Sequence, residues 1–321
     1  MQKISVGIPA YNAMPYLPEA IESVLRQSYA DFELIVVNDG STDGSRAYLE
    51  SIRDKRLRII DQENSGPAAA RNRLLKEART PWLMLLDADD IAYPNRISTV
   101  TEYVRRFPET GVFYSMAEYY QARWNGRLRT TRLSAERLRR LVYAGYLPDI
   151  CNSTAVLNVA KILSVGGYRP GFLVEDADLW WRVALQYDIR FIPKTLVAYR
   201  PSSQSYSSRS IVAHEVSLWY VQYLLLSHLH NRTPLAFETI RTVLEELNPS
   251  QAAFKRFKRE FIVEFSKGNN ARALIAGVRA LLASPGRLVS RVLDGFFPYR
   301  EIKLGESPAR FEALCASLWP H

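Results

Sequence analysis

Cysteine and histidine are scarce in this chain, which limits the metal and disulfide chemistry that it can carry. Its 321 residues include only two cysteines, Cys151 and Cys315, and four histidines. The two cysteines lie far apart and have neither the spacing of a zinc site nor that of a disulfide framework. We therefore interpret them as ordinary thiols of a protein in a reducing compartment.

Long apolar runs are missing as well. A membrane-spanning helix needs roughly 20 consecutive apolar residues, and the nearest approach, Leu218–Leu226, is too short. The amino terminus leads directly into a strand-like run, without the apolar stretch and small-residue cleavage site of a signal peptide. These absences predict a cytoplasmic protein that is soluble or peripheral at the inner face of the cell membrane.

Positive charge is in excess and unevenly distributed. The formal net charge is +9, and residues 253–303 alone contain 11 basic and 4 acidic residues. Such an excess suits nucleic acid, anionic lipid or phosphorylated substrates. No recognised nucleic-acid-reading motif is present, so we expect no nucleic-acid partner.

Short apolar runs alternate with helical patterns through the first ninety residues. The strand-like runs are 4–10, 32–38, 57–61 and 81–87, and helical patterns separate them. This alternation predicts an α/β fold with a doubly wound, mostly parallel sheet. Further along, separate strands are predicted around Val112–Met116 and Glu118–Trp124, and again in "IRFIP" and "TLVAYR".

The polar loop Pro201–Ser210 predicts a domain boundary. Residues 1–210 would form the catalytic domain, and residues 211–321 a mainly helical carboxyl-terminal region. Within that region, Phe254–Arg300 alternates basic and apolar residues at helical spacing. Such helices either lie on an anionic membrane surface or form a bundle with a solvated basic face.

Polar side chains follow each of the four predicted strands at the point where the strand ends. They are Tyr11 and Asn12, Asn38 and Asp39, Asn64 to Gly66, and Asp87, Asp89 and Asp90. Ligands of open α/β sheets bind outside the carboxyl ends of the strands. The four loops therefore predict one ligand site along a single sheet edge.

Five segments, taken together and in order, resemble glycosyltransferase family 2, whose members have the GT-A fold. They are "VGIPAYNAMPYLPEAIESVLRQSY", "ELIVVNDGSTDGS", "NSGPAAARN", "LLDADD" and "EDADLWWR", and they cover about residues 3–200. The resemblance implies an inverting enzyme that moves one sugar from a nucleotide-diphosphate sugar, expected to be UDP-linked. The acceptor would be a hydroxyl of a saccharide or a lipid-linked molecule in polysaccharide or glycoconjugate synthesis.

The resemblance also assigns roles to individual residues. Donor binding falls to Pro9, Ala10, Tyr11, Asp39, Gly66, Arg71, Asp87 and Ala88. Asp89 and Asp87 would hold Mn²⁺ or Mg²⁺, hard cations that prefer carboxylate oxygens. For Asp90 we favour a cap of the following turn. Arg71 has two open interpretations, a contact with donor phosphate and an ion pair with an acid such as Asp87.

The acceptor hydroxyl must lose a proton as it attacks the anomeric carbon, and a carboxylate suits that task. The resemblance places this base in the "ED" pair, so we assign Asp176 the role, with Glu175 and then Asp178 as lesser candidates. Alternatively, these acids only oppose the dipole at the start of a helix. Trp180 and Trp181 would either stack on an acceptor sugar or pack in the core.

Two departures from the family pattern refine this prediction. Many members have a histidine shortly after the "YR" strand, where Ser202 stands here, which suggests a looser metal site. The "QxxRW" signature of processive synthases is missing, which favours transfer of a single sugar.

Two other functions are alternatives for this sequence. A nucleotidyltransferase would need an early glycine-rich, lysine-bearing phosphate loop, and "IPAYNAMPYL" has neither feature. The alternative outside catalysis is a catalytically weak protein that binds sugar nucleotides or acts as a membrane adaptor.

Overall fold

A computed structural model describes residues 3–121, 126–128, 130–201, 211–246, 249–266, 269–284, 303–304 and 307–315. Within them the strands are β1 (Ile4–Ala10), β2 (Phe32–Asp39), β3 (Leu57–Gln62), β4 (Trp82–Leu85), β5 (Ile91–Ala92), β6 (Val112–Tyr119), β7 (Leu147–Pro148), β8 (Ala155–Asn158), β9 (Ile189–Tyr199) and β10 (Lys303–Leu304).

The helices occupy both faces of the main sheet and much of the carboxyl-terminal region. They are α1 (Leu17–Leu25), α2 (Ser45–Ser51), α3 (Pro67–Glu77), α4 (Arg96–Arg106), α5 (Ala135–Tyr143), α6 (Val159–Ser164), α7 (Glu175–Gln186), α8 (Ile211–Leu229), α9 (Phe237–Glu246), α10 (Pro249–Ser266), α11 (Asn270–Ala283) and α12 (Pro308–Cys315).

The main sheet has eight strands in the order β3-β2-β1-β4-β8-β6-β9-β5. Neighbouring strands from β3 to β4 are parallel, as are β6 and β9, whereas β8 runs antiparallel to both β4 and β6. The predicted α/β fold with a mostly parallel, doubly wound sheet is therefore confirmed, and so are the helices that follow it.

Strand β2 shows why its sequence is apolar at almost every position. Ile35 and Val37 point into the core beneath α3 and α7, while Leu34 and Val36 point into the opposite core beneath α1 and α4. Side chains of a strand alternate between the two faces, so a strand covered on both faces must be apolar throughout.

Gly7 lies at the centre of β1, where helix α3 approaches closely. A Cβ atom there would stand 2.9 Å from Cδ1 of Leu83 and 3.1 Å from Cδ1 of Leu74. The missing side chain allows α3 to pack against the sheet, which brings the first turn of α3 to the carboxyl edge of the strands.

Strands β6 and β9 correct the sequence prediction, because each is one continuous strand where two segments were expected. Ser115 pairs with Ile192 and Met116 with Thr195, so the ladder passes over Pro193 and Lys194. This bulge accommodates a proline that cannot donate a ladder hydrogen bond. Pro193 and Lys194, where the two predicted segments of β9 were separated, form the bulge instead.

Helix α8 packs on the amino-terminal part of the chain. Its Leu218, Val221 and Leu225 belong to the same core as Leu179 and Trp180 of α7. Of the predicted loop Pro201–Ser210, residues 202–210 lie outside the described residues, and the boundary at residue 210 stays a prediction. Among the described helices, none has the length and apolar character needed to cross a membrane.

Candidate active site

The loops after β1 and β2 are joined by hydrogen bonds at the carboxyl edge of the sheet. Asn12, whose φ is 46°, accepts hydrogen bonds at Oδ1 from the backbone N–H of Thr42 (2.7 Å) and of Asp43 (3.3 Å). The backbone N–H of Asn12 donates to Oγ of Ser41 at 3.0 Å. Asn and Asp side chains tolerate this left-handed conformation and bond locally to backbone, so Asn12 fixes both loops.

Asp39, at the end of β2, organises the loop after β3. Its Oδ1 accepts from Nε2 of Gln62 (2.7 Å) and from the backbone N–H of Ser65 (2.9 Å), and its Oδ2 accepts from Gly66 N–H (3.0 Å). At the neighbouring Gly40, a Cβ atom would stand 2.7 Å from the backbone nitrogen of Asn64. The predicted contact of Asp39 with a nucleobase would have to share these oxygens.

Tyr11 presents an aromatic ring at this edge. The residue is 51% exposed, while Ala10 beside it is buried and Pro9 is half-buried. An exposed ring next to a backbone without bulky side chains can stack on a flat ligand. Of the three residues predicted to line the base pocket, Tyr11 is the one with an exposed ring that could contact a base.

A buried arginine joins two acids from distant parts of the chain. Nη2 of Arg71, on α3, donates to Oδ1 of Asp87 at 2.8 Å, and Nη1 donates to Oε1 of Glu175. Burial lowers the pKa of Arg71, but the charges of Asp87 and Glu175 outweigh it and raise that pKa. This geometry is the ion-pair alternative for Arg71, and contact with donor phosphate stays a prediction.

Asp176 stands beside this ion pair at the first turn of α7. Its Oδ1 accepts the backbone N–H of Ala177 at 2.7 Å, and its side chain is half-buried. Burial, followed by the negative charge of Glu175, raises the pKa of Asp176 to about 7. A carboxyl group whose pKa lies near neutrality can both accept and release a proton at physiological pH.

The acidic loop Asp87–Asp90 is held at three points. The backbone N–H of Asp87 donates to Oγ of Ser153 at 3.0 Å. On the other side, Arg200 at the end of β9 donates from Nε to the carbonyl oxygen of Asp89 (3.0 Å) and from its backbone N–H to Oδ1 of Asp90 (2.8 Å). The predicted cap by Asp90 is wrong, because that carboxylate receives a strand end instead of the following turn.

Arg200 is itself fixed by an ion pair and two aromatic rings. Its Nη2 lies 2.5 Å from Oε2 of Glu19, and its guanidinium carbon is 4.8 Å from the Tyr16 ring centroid and 4.2 Å from that of Tyr120. Stacking and pairing restrict the guanidinium to one orientation. Sequence reasoning missed Arg200, although a basic residue at a strand end opposite an acidic loop was the available signal.

Arg96 is a second charged residue that the sequence did not reveal. It is completely buried at the start of α4, and its Nη2 donates to the carbonyl oxygen of Leu85 at 2.8 Å. Burial lowers the pKa of Arg96 to about 9, against the opposing effect of Asp90 and Asp87. Burial also raises the pKa of Asp90, as do the charges of Asp89 and Asp87. Like charges therefore crowd the acidic loop, and a positive charge lies beneath it.

The burial of the two tryptophans of α7 favours core packing, one of the two interpretations that the sequence left open. Trp180 is 0% exposed and donates from Nε1 to the carbonyl oxygen of Ile150 at 3.0 Å, and Trp181 is 4% exposed. Helices α5 and α8 cover this face of α7, so neither ring is available to an acceptor sugar. Asp178 is also fully buried, paired with Arg182 at 2.7 Å, and is therefore a structural acid.

The donor set for a metal ion is small. Within the described part of the chain, no group of three or more His, Cys, Asp or Glu side chains is arranged to hold a metal ion. Asp87 and Asp89 do offer carboxylates, next to an Asp90 whose pKa is raised first by burial and then by their negative charges. Mg²⁺-like ions commonly take one or two carboxylates and complete their shell with water and substrate phosphate. The residues present fit such an ion, whereas Ser202 lies outside the described residues.

Comparison with known proteins agrees with this arrangement. Residues 5–164 match the family described as Glycosyl transferase family 2. An uncharacterized glycosyltransferase of Rickettsia conorii is 36% identical over 277 residues, which are 83% of this chain and 44% of that protein. The chain spans less than half the length of the first curated relatives that it matches.

Solved structures share the fold at low identity. TarS of S. aureus in complex with UDP-GlcNAc aligns with a TM-score of 0.55 and 16% identity, over 88% of this chain and 89% of that one. A mannosyltransferase from Pyrobaculum calidifontis in complex with GDP-Man and Mn²⁺ aligns with a TM-score of 0.52 and 17% identity, over 98% and 85%. Through its amino-terminal sheet and the loops at its edge, the chain belongs to glycosyl transferase family 2.

Proposed function

We propose that this protein is an inverting glycosyltransferase that moves a single sugar from a UDP-linked donor to a hydroxyl of a saccharide or lipid-linked acceptor. The observation that carries the proposal is Asp176, a half-buried carboxyl group beside the Arg71–Asp87 ion pair, whose pKa burial raises to about 7. The TarS and mannosyltransferase structures hold nucleotide sugars, which supports the donor class.

The proposed reaction is one displacement at the anomeric carbon. The acceptor oxygen forms a bond to that carbon, its proton passes to Asp176, and the bond to the diphosphate breaks with its electron pair leaving on UDP. A single general base, without a second carboxylate acting as nucleophile, gives inversion of configuration. Glu175 is held by Arg71 and would influence Asp176 through its charge.

On the donor side, Tyr11 would stack on the base, and Asp39 would hold the Ser65–Gly66 backbone next to it. Asp87 and Asp89 would hold Mn²⁺ or Mg²⁺, which supplies Lewis-acid stabilisation of the diphosphate leaving group. Arg71 would act as a positioning residue for Asp87, since the bond from Nη2 to Oδ1 at 2.8 Å holds that carboxylate in one orientation.

The donor and its metal dependence can be tested together. Wild-type protein should show a thermal shift with one of UDP-, GDP- or dTDP-sugars, larger with Mn²⁺ than without it. Asp89→Asn should weaken Mn²⁺-dependent binding of UDP by at least about tenfold in calorimetry, because one of two carboxylate ligands is lost. Glu63→Gln, which removes an exposed carboxylate from the same sheet edge, is the control and should bind UDP normally. Unchanged metal dependence in Asp89→Asn would place the metal elsewhere.

Arg200 should act as a positioning residue for the acidic loop. Arg200→Met removes the bond to the Asp89 carbonyl and the pair with Glu19, so we expect the apparent Mn²⁺ affinity in the transfer assay to fall about tenfold. The matched control is Arg190→Met, since Arg190 lies in β9, the strand that Arg200 directly follows, and also combines an acid pair with a stacked ring, Asp188 and Phe107. Equal losses in the two variants would indicate a general effect on β9.

A further inference from the structure

Helix α11 carries its large apolar side chains on the outside. Its buried residues are Ala273, Ala276 and Ala280, whereas Leu274 and Leu282 are 69% and 76% exposed. A surface helix of a soluble protein normally has the reverse arrangement. The exposed residues form one stripe at helical spacing, here called the α11 stripe: Leu274, Ile275, Val278, Leu281 and Leu282.

The inner face of α11 packs against α10 through small residues, so the large apolar residues of the stripe are not used in that contact. A Cβ atom at Gly277 would stand 3.4 Å from Cδ2 of Phe261, so α11 lies close against α10. Small residues on one face let two helices approach closely without using large side chains, as helices in lipid often do. The contact with α10 uses this small-residue face, and within the described part of the chain the stripe residues stay exposed.

The charges next to the stripe indicate what kind of surface would cover it. Arg272 and Arg279 are exposed, lie two turns apart along one edge of the stripe, and α11 contains no acidic residue. An apolar face bordered by arginine is the pattern of a helix that lies in the headgroup region of an anionic membrane. A second copy of the chain is a poorer partner, because copies with a net charge of +9 repel each other.

We propose that the α11 stripe inserts into the surface of a bilayer that contains anionic lipid, with Arg272 and Arg279 at the lipid phosphates. The proposal goes beyond the proposed function and does not depend on it, because it invokes neither donor nor catalysis. The sequence allowed two interpretations of the basic carboxyl-terminal region, a membrane-bound surface or a solvated face of a helical bundle. For α11 the proposal adopts the first.

Vesicle flotation of the full chain without donor or metal tests the proposal. The protein should float with phosphatidylcholine vesicles that contain about 30% phosphatidylglycerol, and binding should weaken in about 1 M NaCl. The double variant L274Q/L282Q should lower the partition coefficient at least about tenfold. R272Q/R279Q should lower binding to the anionic vesicles about 25-fold, since each basic residue near the surface contributes roughly fivefold.

Leu163→Gln is the matched control, because Leu163 is also an exposed leucine but lies in α6, away from α11. It should float like the wild type, and all variants should melt at similar temperatures. The proposal is overturned if the wild type does not float, or if L274Q/L282Q floats equally well. It is also overturned if the wild type is a dimer by light scattering that L274Q/L282Q dissociates while vesicle binding is unchanged, since a second copy would then cover the stripe.

Discussion

Asp176→Asn should reduce the rate of sugar transfer by a factor of at least about 10², while nucleotide binding stays nearly unchanged. The amide cannot take the acceptor proton, so the general-base contribution is lost. The expected factor corresponds to about 2.7 kcal/mol of transition-state stabilisation. Donor binding should survive because Tyr11 and Asp39 lie on other loops. Transfer rates and UDP affinity measured on the same preparation provide the two readouts.

The pH profile gives an independent check of the same residue. The pKa of Asp176 is about 7 instead of 3.8, so transfer by the wild type should fall about tenfold per pH unit below pH 7. The residual activity of Asp176→Asn should lack this step. A normal rate in the variant, or the same acid limb in both proteins, would remove Asp176 from the role of base.

The free energy of unfolding of Asp176→Asn shows whether a loss of transfer comes from misfolding. A carboxyl group with a raised native pKa stabilises the fold below its unfolded pKa of about 4, and this contribution is lost as the pH rises through 7. At pH 8 the wild type therefore bears an ionised, poorly solvated Asp176 that the asparagine variant does not. The variant should be at least as stable as the wild type at pH 8.

Arg71→Met should reduce the free energy of unfolding by about 3 to 5 kcal/mol at pH 8. The substitution leaves Glu175 buried and Asp87 half-buried without their shared countercharge, which is costlier than losing a surface pair. The deficit should shrink as the pH falls, because burial already raises the pKa of Glu175 and loss of Arg71 raises it further, so that the buried carboxyl group takes up a proton. Denaturant unfolding at several pH values measures both effects.

Arg73→Met is the matched control for Arg71→Met. Arg73 lies two residues further along α3, is 47% exposed in its side chain, and pairs with Glu77 at 2.9 Å on the surface. Exposed pairs contribute at most about 1 kcal/mol, so this variant should unfold almost like the wild type. If both substitutions lower the free energy of unfolding by the same amount, the buried ion pair of Arg71 does not link the loop after β4 to α7.

The position of the candidate site at the sheet edge could be predicted because it depends on short stretches of sequence. Each parallel strand is an apolar run that ends in polar residues, and the ends of parallel strands meet at one edge whatever the order of the strands. The structure places the loops with Asn12, Asp39, Gly66 and Asp87 side by side on that basis.

Other features could not be predicted because they depend on contacts between distant parts of the chain. Asp90 was expected to cap its own turn, but its partner is the backbone of Arg200, 110 residues later. The exposure of Trp180 and Trp181 depended on whether α8 packs over α7, which periodicity in α7 alone does not determine. Likewise, Pro193 looked like the end of a strand until its bulge opposite β6 was visible.

The core shared by α7 and α8 has a geometric consequence. Helix α7 begins at Asp176's turn, α8 packs against it, and α10 packs against both α8 and α11. Helix α11 is thus connected, through α10 and α8, to the helix that carries the proposed base, Asp176. If α11 lies on a bilayer surface, the orientation of Asp176 relative to that surface is fixed. The side from which an acceptor can approach is then fixed as well.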